Sequence, residues 1–85
     1  MEKFEYELRS MPVWLLQSYL DEVGGQSDDS EYYSGEGWTA KIEKMEDFKI
    51  GSLSVGQVRL IFNGDPRAIK ETLPLLEQKM MRAGG

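Results

Sequence analysis

The stretch LSVGQVRL at residues 53–60 decides how we expect this chain to fold. Its centre is Gly56-Gln57, flanked by valines, and a glycine at the first central position suits a two-residue type II′ turn. The stretch therefore predicts a β-hairpin whose turn lies at Gly56-Gln57. Such a turn sets the register, so that three pairs share one side of the sheet: Val55 with Val58, Leu53 with Leu60, and Gly51 with Phe62.

Two further segments alternate between apolar and polar residues, as half-buried strands do. One covers residues 3–9 and the other covers residues 38–43. We expect the first strand to lie beside the last, because residues 58–62 are the most apolar strand and therefore suit the centre of the sheet. The second strand continues the apolar side of the hairpin through three expected pairs: Ile42 with Gly51, Ala40 with Leu53, and Trp38 with Val55.

Two helices are predicted from capping residues and from apolar residues at helical spacing. The first begins after Ser10, the expected N-cap, and ends at Gly24-Gly25, since glycine readily adopts the left-handed conformation found there. The second begins with Asp65 as N-cap and Pro66 at the first helical position. Pro74 falls inside this helix and lacks a backbone N–H, which predicts a kink or two short helices.

The predicted order of elements is β-α-β-β-β-α, within a single domain that spans residues 1–85. Both helices are expected to cover one face of an antiparallel sheet. The expected fold class is therefore α+β, a two-layer sandwich close to a ferredoxin-like arrangement. A chain of this length buries one modest core.

The composition bears on function through two missing residue types and through charge. The sequence contains neither cysteine nor histidine, so thiolate or imidazole ligands and the usual general base near neutral pH are absent. We therefore expect no catalytic residues and no cofactor. Residues 1–47 hold twelve acidic and four basic residues, whereas residues 48–85 hold three acidic and six basic ones.

The overall charge of −5 disfavours binding to nucleic acid or to an anionic membrane. The N-terminal residues lack the apolar region of a signal peptide, and no apolar run reaches the length of a membrane span. We therefore expect a cytoplasmic protein.

An acidic loop is predicted over residues 26–37, a segment with no basic residue. A structureless loop of this length is uncommon in a compact domain and is usually functional or disordered. One interpretation is a site for a hard divalent cation or a small ligand, and the other is a solvated loop that keeps the protein soluble. The candidate cation ligands are Asp28, Asp29, Glu31 and Glu36.

Aromatic residues in polar surroundings are the best candidates for contact with a partner protein. Trp14 falls on the polar side of the first helix, where it contacts a partner unless the acidic loop folds over it. Ile61 is the apolar point of a sheet face that otherwise carries small or charged residues. The leading hypothesis is a non-catalytic interaction or regulatory domain, monomeric or homodimeric through the exposed sheet or an edge strand, with four contact residues: Trp14, Tyr32, Tyr33 and Ile61.

The sequence ends in Gly84-Gly85. In this respect it is similar to sulfur-carrier and ubiquitin-like proteins, whose C-terminal glycine is activated by a partner enzyme. That resemblance implies a β-grasp fold with the tail leaving a last strand. Here the tail follows a predicted helix and the predicted strand order differs, so a simple helix stop is the alternative. A carrier function is therefore a further hypothesis.

Overall fold

A computed structural model describes residues 2–27, 29 and 31–84 of the chain. These residues form one antiparallel sheet whose strands lie in the order β1-β5-β4-β3-β2, together with three helices. The strands are β1 (Glu2–Arg9), β2 (Gln26–Ser27), β3 (Tyr32–Gly35), β4 (Trp38–Ile50) and β5 (Leu53–Gly64). The helices are α1 (Val13–Glu22), α2 (Pro66–Glu71) and α3 (Leu73–Gly84).

The core lies between one face of the sheet and the helices. Alternate residues of the two long strands point into it, because successive side chains of a strand lie on opposite faces. The fully buried side chains come from both layers, and Trp38 stacks on Phe62 with ring centroids 5.3 Å apart. The other side of the sheet is covered by none of the described helices, and we call it the open face. The central core side chains are Leu16, Leu20, Ala40, Ile42, Val58, Leu60, Phe62 and Leu76.

The hairpin turn predicted at Gly56-Gln57 is wrong. Residues 53–64 form one unbroken strand, and the turn lies at Gly51-Ser52, with Ile50 paired to Leu53. Gly51 has a φ of 60°, as the first central residue of a type II′ turn requires, so the turn rule holds at a different glycine. Gly56 lies within β5 and has no such conformation.

The strand pairs predicted across the hairpin are therefore wrong as well, although the core face of β4 is confirmed. Trp38, Ala40 and Ile42 are buried as expected, but their partners are Gly64, Phe62 and Leu60. The length of the β4–β5 ladder accounts for the observed register. Moving the turn to residue 51 lets residues 57–64 pair with β4 on one side and with β1 on the other. The predicted neighbourhood of the first and last strands is confirmed.

The helix boundaries agree with prediction except at the start of α1. Ser10 is not its N-cap: the cap residue is Pro12, and Ser10 takes a φ of 63° while its N–H donates to the Gly56 carbonyl. The expected stop at Gly24-Gly25 is confirmed, with Gly24 at a φ of 94°. Ser10 instead lies in the tight turn that follows β1.

The second helical region is confirmed in detail. The Asp65 carboxylate accepts a hydrogen bond of 2.8 Å from the Ala68 N–H, and Pro66 opens α2. The helix is interrupted at Thr72, just before Pro74, which gives two short helices in place of one.

The segment predicted as an acidic loop carries two strands. β2 and β3 pair antiparallel, and β3 pairs in turn with β4. A core residue explains why this segment is ordered: the Trp38 indole lies directly against Gly25 and Gly35, where a Cβ atom would collide with it. Backbone close to the ring on both sides holds the β3–β4 turn against the core.

The α+β class with an antiparallel sheet is confirmed, whereas the ferredoxin-like label is not. The described sheet has five strands, and four of them follow one another between α1 and α2. No helix within the described residues is long and apolar enough to cross a membrane.

Two glycine substitutions test the position of the turn. Gly51→Ala should lower the free energy of unfolding by about 1–2 kcal/mol, because alanine is strained at positive φ. Gly56→Ala should raise it by roughly 0.5–1 kcal/mol, since alanine is better than glycine inside a strand and its Cβ would meet nothing within 4 Å. Urea unfolding followed by circular dichroism measures both, and the reverse order of stabilities would place the turn at Gly56.

Candidate protein-binding surface

The β4–β5 hairpin extends beyond the rest of the sheet. The pairing of β1 ends where Arg9 lies opposite Gln57, and the pairing of β3 with β4 ends at Lys41. Residues 45–56 therefore form a two-stranded ribbon with no neighbouring strand among the described residues. We call this ribbon the arm. It fits the elongated shape of the molecule, whose principal extents are 43 × 25 × 21 Å.

One face of the arm is apolar. Phe48 pairs with Val55, and Ile50 pairs with Leu53, so all four side chains lie on one side of the ribbon. Leu53 is 68% exposed and Ile50 is 57% exposed, while Phe48 and Val55 are half-buried. We call these four side chains the arm patch. Strand alternation from Leu60 and Val58 places the patch on the open face, away from the helices.

A β-bulge brings the two halves of the arm patch together. Between Met45 and Phe48 the β4 strand advances three residues while its partner advances two, from Gln57 to Val55. The extra residue moves the later even-numbered side chains of β4 from the core face to the open face. Without the bulge, Phe48 and Ile50 would lie on the opposite side of the ribbon from Val55 and Leu53.

The arm has a polar opposite face and a cationic base. On the polar side, the Ser54 hydroxyl donates to the Asp47 carboxylate at 3.0 Å. At the base of the patch, the Arg9 guanidinium lies over the Phe48 ring, 3.8 Å from its centroid. This cation–π contact ties the end of β1 to the arm patch.

The rest of the open face carries a network of charges. Arg59 lies between two carboxylates on neighbouring strands, 3.7 Å from Glu7 and 3.8 Å from Glu43. Lys41 lies 3.8 Å from Glu43 and over the Tyr32 ring, and its hydrogen bond to Tyr32 raises the pKa of the lysine. The charged part of the open face is thus largely paired, whereas the arm patch is apolar.

The four predicted contact residues do not form one site. Ile61 and Tyr32 share the open face, in one row across β5, β4 and β3 with Lys41 between them. Trp14 is 67% exposed, so the loop does not bury it, but it belongs to the helix layer on the other side of the sheet. Tyr33 is not a surface residue: it is only 6% exposed, because its side chain points to the core while that of Tyr32 points outward.

The arm patch was missed in the sequence. Leu53 and Val55 were interpreted as core residues because they alternate in the same way as Val58 and Leu60. The signal that could have revealed the patch is a change of phase: the apolar positions are odd at 53 and 55 and even at 58, 60 and 62. In one continuous strand such a change places apolar side chains on both faces.

The candidate cation ligands have separate positions in the structure. Asp28 lies outside the described residues. The Asp29 carboxylate accepts hydrogen bonds from the backbone N–H groups of Tyr32 at 2.9 Å and Glu31 at 3.0 Å, and these bonds lower the pKa of Asp29. Glu31 and Glu36 are exposed. Among the described residues no group of three or more possible ligands comes together. Asp29 has a structural task, since it orders the turn that precedes β3.

The C-terminal residues belong to a helix that is fixed to the rest of the fold. In α3, Leu76 and Met80 are buried, and Lys79 lies 3.4 Å from Glu22 at the end of α1. Burial and the neighbouring Glu77 carboxylate raise the pKa of Tyr6 to about 12, so α3 also lies beside β1. The helix continues through Gly84, and Gly85 lies outside the described residues.

A family model described as "Archaeal MoaD-like protein" matches residues 4–85, so the chain belongs to this family. The family name refers to MoaD, a small ubiquitin-like sulfur carrier with a β-grasp fold, and membership is therefore compatible with a carrier function. No curated protein matches the chain. Two features of the structure differ from the expected carrier geometry: Gly84 is the last residue of a helix, and β1 pairs antiparallel with β5.

The role of Asp29 predicts a pH-dependent stability difference. Because folding lowers the pKa of this carboxyl group, its contribution is present at neutral pH and disappears as the pH falls through the lowered value. Asp29→Ala should therefore unfold at a lower temperature than the native chain at pH 7, and the two melting temperatures should converge in acid. Thermal unfolding at several pH values measures this.

Glu36→Gln serves as the matched control, since Glu36 is an exposed carboxylate of the same segment. A gap between Asp29→Ala and the native chain that stays constant down to the lowest pH would contradict the assignment.

Proposed function

We propose that this chain, a member of the MoaD-like family, is a non-catalytic protein-binding domain that works in the cytoplasm. The observation that carries the proposal is the arm patch, in which exposed Ile50 and Leu53 adjoin half-buried Phe48 and Val55 on a face that the described helices do not cover. Large exposed apolar side chains in a contiguous patch mark interaction surfaces, whereas single ones do not. The family match supports a protein as the partner, because sulfur-carrier domains act through contacts with other proteins.

The energetics of the arm patch support a binding role. Fully burying a leucine or isoleucine side chain contributes roughly 1.5–3 kcal/mol. Because Ile50 and Leu53 are mostly exposed, most of this free energy is still available for binding. Arg9 at the base adds a cation beside an aromatic ring, a combination found at binding hot spots. A partner that covers the patch therefore gains apolar burial without unfolding any part of this domain.

Site-specific photo-crosslinking tests the proposal. A photoreactive amino acid replaces Leu53 in one variant and Leu75 in another, since Leu75 is 53% exposed but lies on α3. In the native cell, the position 53 variant should form discrete adducts that the position 75 variant lacks. Mass spectrometry of those adducts should identify one protein that covers the patch, either a second copy of this chain or a different protein.

A second substitution makes the result specific. Adding Ile50→Glu to the position 53 variant should abolish the adducts, because a carboxylate cannot be buried beside the partner without a large desolvation cost. Equal adducts at positions 53 and 75, or adducts that survive Ile50→Glu, would overturn the proposal.

A carrier function is the second candidate, and the family match together with Gly84-Gly85 favours it. It requires Gly85 to bear a free carboxyl group that an activating enzyme can reach. Since α3 continues through Gly84, an activating enzyme must either accept a carboxyl group at the end of a helix or unwind the last turn. The buried Leu76 and Met80 hold the earlier turns, so only the final residues are available for this change.

Intact-mass measurement of the protein from its native cells tests the carrier function. A carrier should show a fraction in which one oxygen of the terminal carboxylate is replaced by sulfur, or a conjugate through Gly85. Deleting Gly85 should remove that fraction and leave the melting temperature unchanged. An unmodified terminus under all growth conditions would count against this candidate and would leave the binding proposal in place.

A further inference from the structure

We infer that the arm patch is covered by the arm patch of a second copy of this chain, in a dimer with two-fold symmetry. This inference rests on the proposed function, because it names the occupant of the same surface. It is argued from three properties of the arm: the need of a two-stranded ribbon for cover, the protection of its edges, and the charge of the face that surrounds it.

The first property is the marginal stability of a lone ribbon. A two-stranded hairpin is barely stable in water unless a further strand or a packed layer supports it. In the arm, the pairs from Phe48↔Val55 to Ile50↔Leu53 have no third strand and no helix over their apolar face among the residues that the structure describes. Packing that face against another apolar surface supplies the missing layer.

The second property is that the β4 edge of the arm is protected against strand addition and that the base of the β5 edge is occupied. The outer edge of β4 carries the bulge and four charged residues, which protect edges against pairing. On the β5 edge, the Gly56 carbonyl already accepts a hydrogen bond of 2.8 Å from the Ser10 N–H. The arm is therefore built to bind through its apolar face. The charged residues of the β4 edge are Lys44, Glu46, Asp47 and Lys49.

The third property is the charge of the open face. The chain has a net charge of −5, which opposes the approach of two copies in most orientations. The open face is an exception, because its strands carry four cationic and three anionic side chains. Two copies can therefore meet through this face without charge repulsion. The side chains are Lys3, Arg9, Lys41 and Arg59 on the cationic side, and Glu5, Glu7 and Glu43 on the anionic side.

Two-fold symmetry also uses the patch efficiently. In a symmetric contact the same surface is buried on both copies, so the dimer covers two arm patches at once. Two ribbons stacked face to face at the usual sheet spacing of about 10 Å would interleave the four apolar side chains of each copy.

Sedimentation analysis of the full chain tests this directly. The native chain should sediment as a dimer that dissociates on dilution. Leu53→Glu should weaken the dimer at least about tenfold, because each substitution removes apolar burial twice. Leu75→Glu, at a similarly exposed leucine outside the arm, should leave dimer affinity unchanged. Circular dichroism and melting temperatures confirm that both variants are folded.

Because the chain contains no cysteine, thiol crosslinking gives a second and independent readout. Ile50→Cys should form a covalent dimer with a short bismaleimide, because each thiol adds across one maleimide double bond and the linker spans sheets stacked about 10 Å apart. Leu75→Cys should remain monomeric under the same conditions.

Three outcomes would overturn the inference: a native chain that is monomeric at every accessible concentration, a dimer unaffected by Leu53→Glu, or equal crosslinking of the two cysteine variants. A monomer whose Leu53 position still crosslinks to a different protein would reject the dimer and retain the proposed function. A chain that neither dimerises nor crosslinks through position 53 would reject both the dimer and the proposed function.

Discussion

The pairing of β4 with β5 is the constraint on which the rest of this structure depends. Its register places Trp38, Ala40 and Ile42 opposite Gly64, Phe62 and Leu60. The side chains of these strands form the sheet side of the core. β1 and β3 add to the two outer sides of this ladder, and the helices pack on its core face. The same ladder continues past both neighbours and becomes the arm. The core and the candidate binding surface are therefore two ends of one hairpin, and a one-residue bulge on β4 separates them.

Much of this fold could be predicted from local chemistry. Four features depend only on residues a few positions apart, and each is found as predicted. They are the alternation in residues 3–9, the glycines after α1, the Asp65 cap and the break near Pro74. The hairpin turn was placed wrongly because Gly51-Ser52 and Gly56-Gln57 satisfy the same local rule. The choice between the two turns depends on how long a strand ladder each allows with residues distant in sequence. The residues of the turn itself carry no information about that length. Ser10 was misassigned for a similar reason, since it turns the chain where β1 meets β5.

The candidate site was less predictable than the fold because it depends on which face each residue occupies. Tyr32 and Tyr33 are neighbours of the same type, yet pairing with β4 sends Tyr32 to the open face and Tyr33 to the core. Leu53 and Val55 are as apolar as Val58 and Leu60, and only the absence of a turn between the two pairs puts them on the other side. Apolar residues on a strand indicate burial, but whether another part of the same chain or another molecule buries them depends on register.

The two candidate functions use different parts of the molecule. The arm patch lies on the open face, while α3, which ends at Gly84, belongs to the helix layer on the other side of the sheet. A partner bound to the arm therefore leaves the C-terminal end of α3 accessible, and modification of that end leaves the arm free. In a dimer formed through the arm patches, the helix layers of both copies would face outward. A binding surface and a modifiable end are thus compatible in one small domain, because the sheet that positions the arm also separates it from α3.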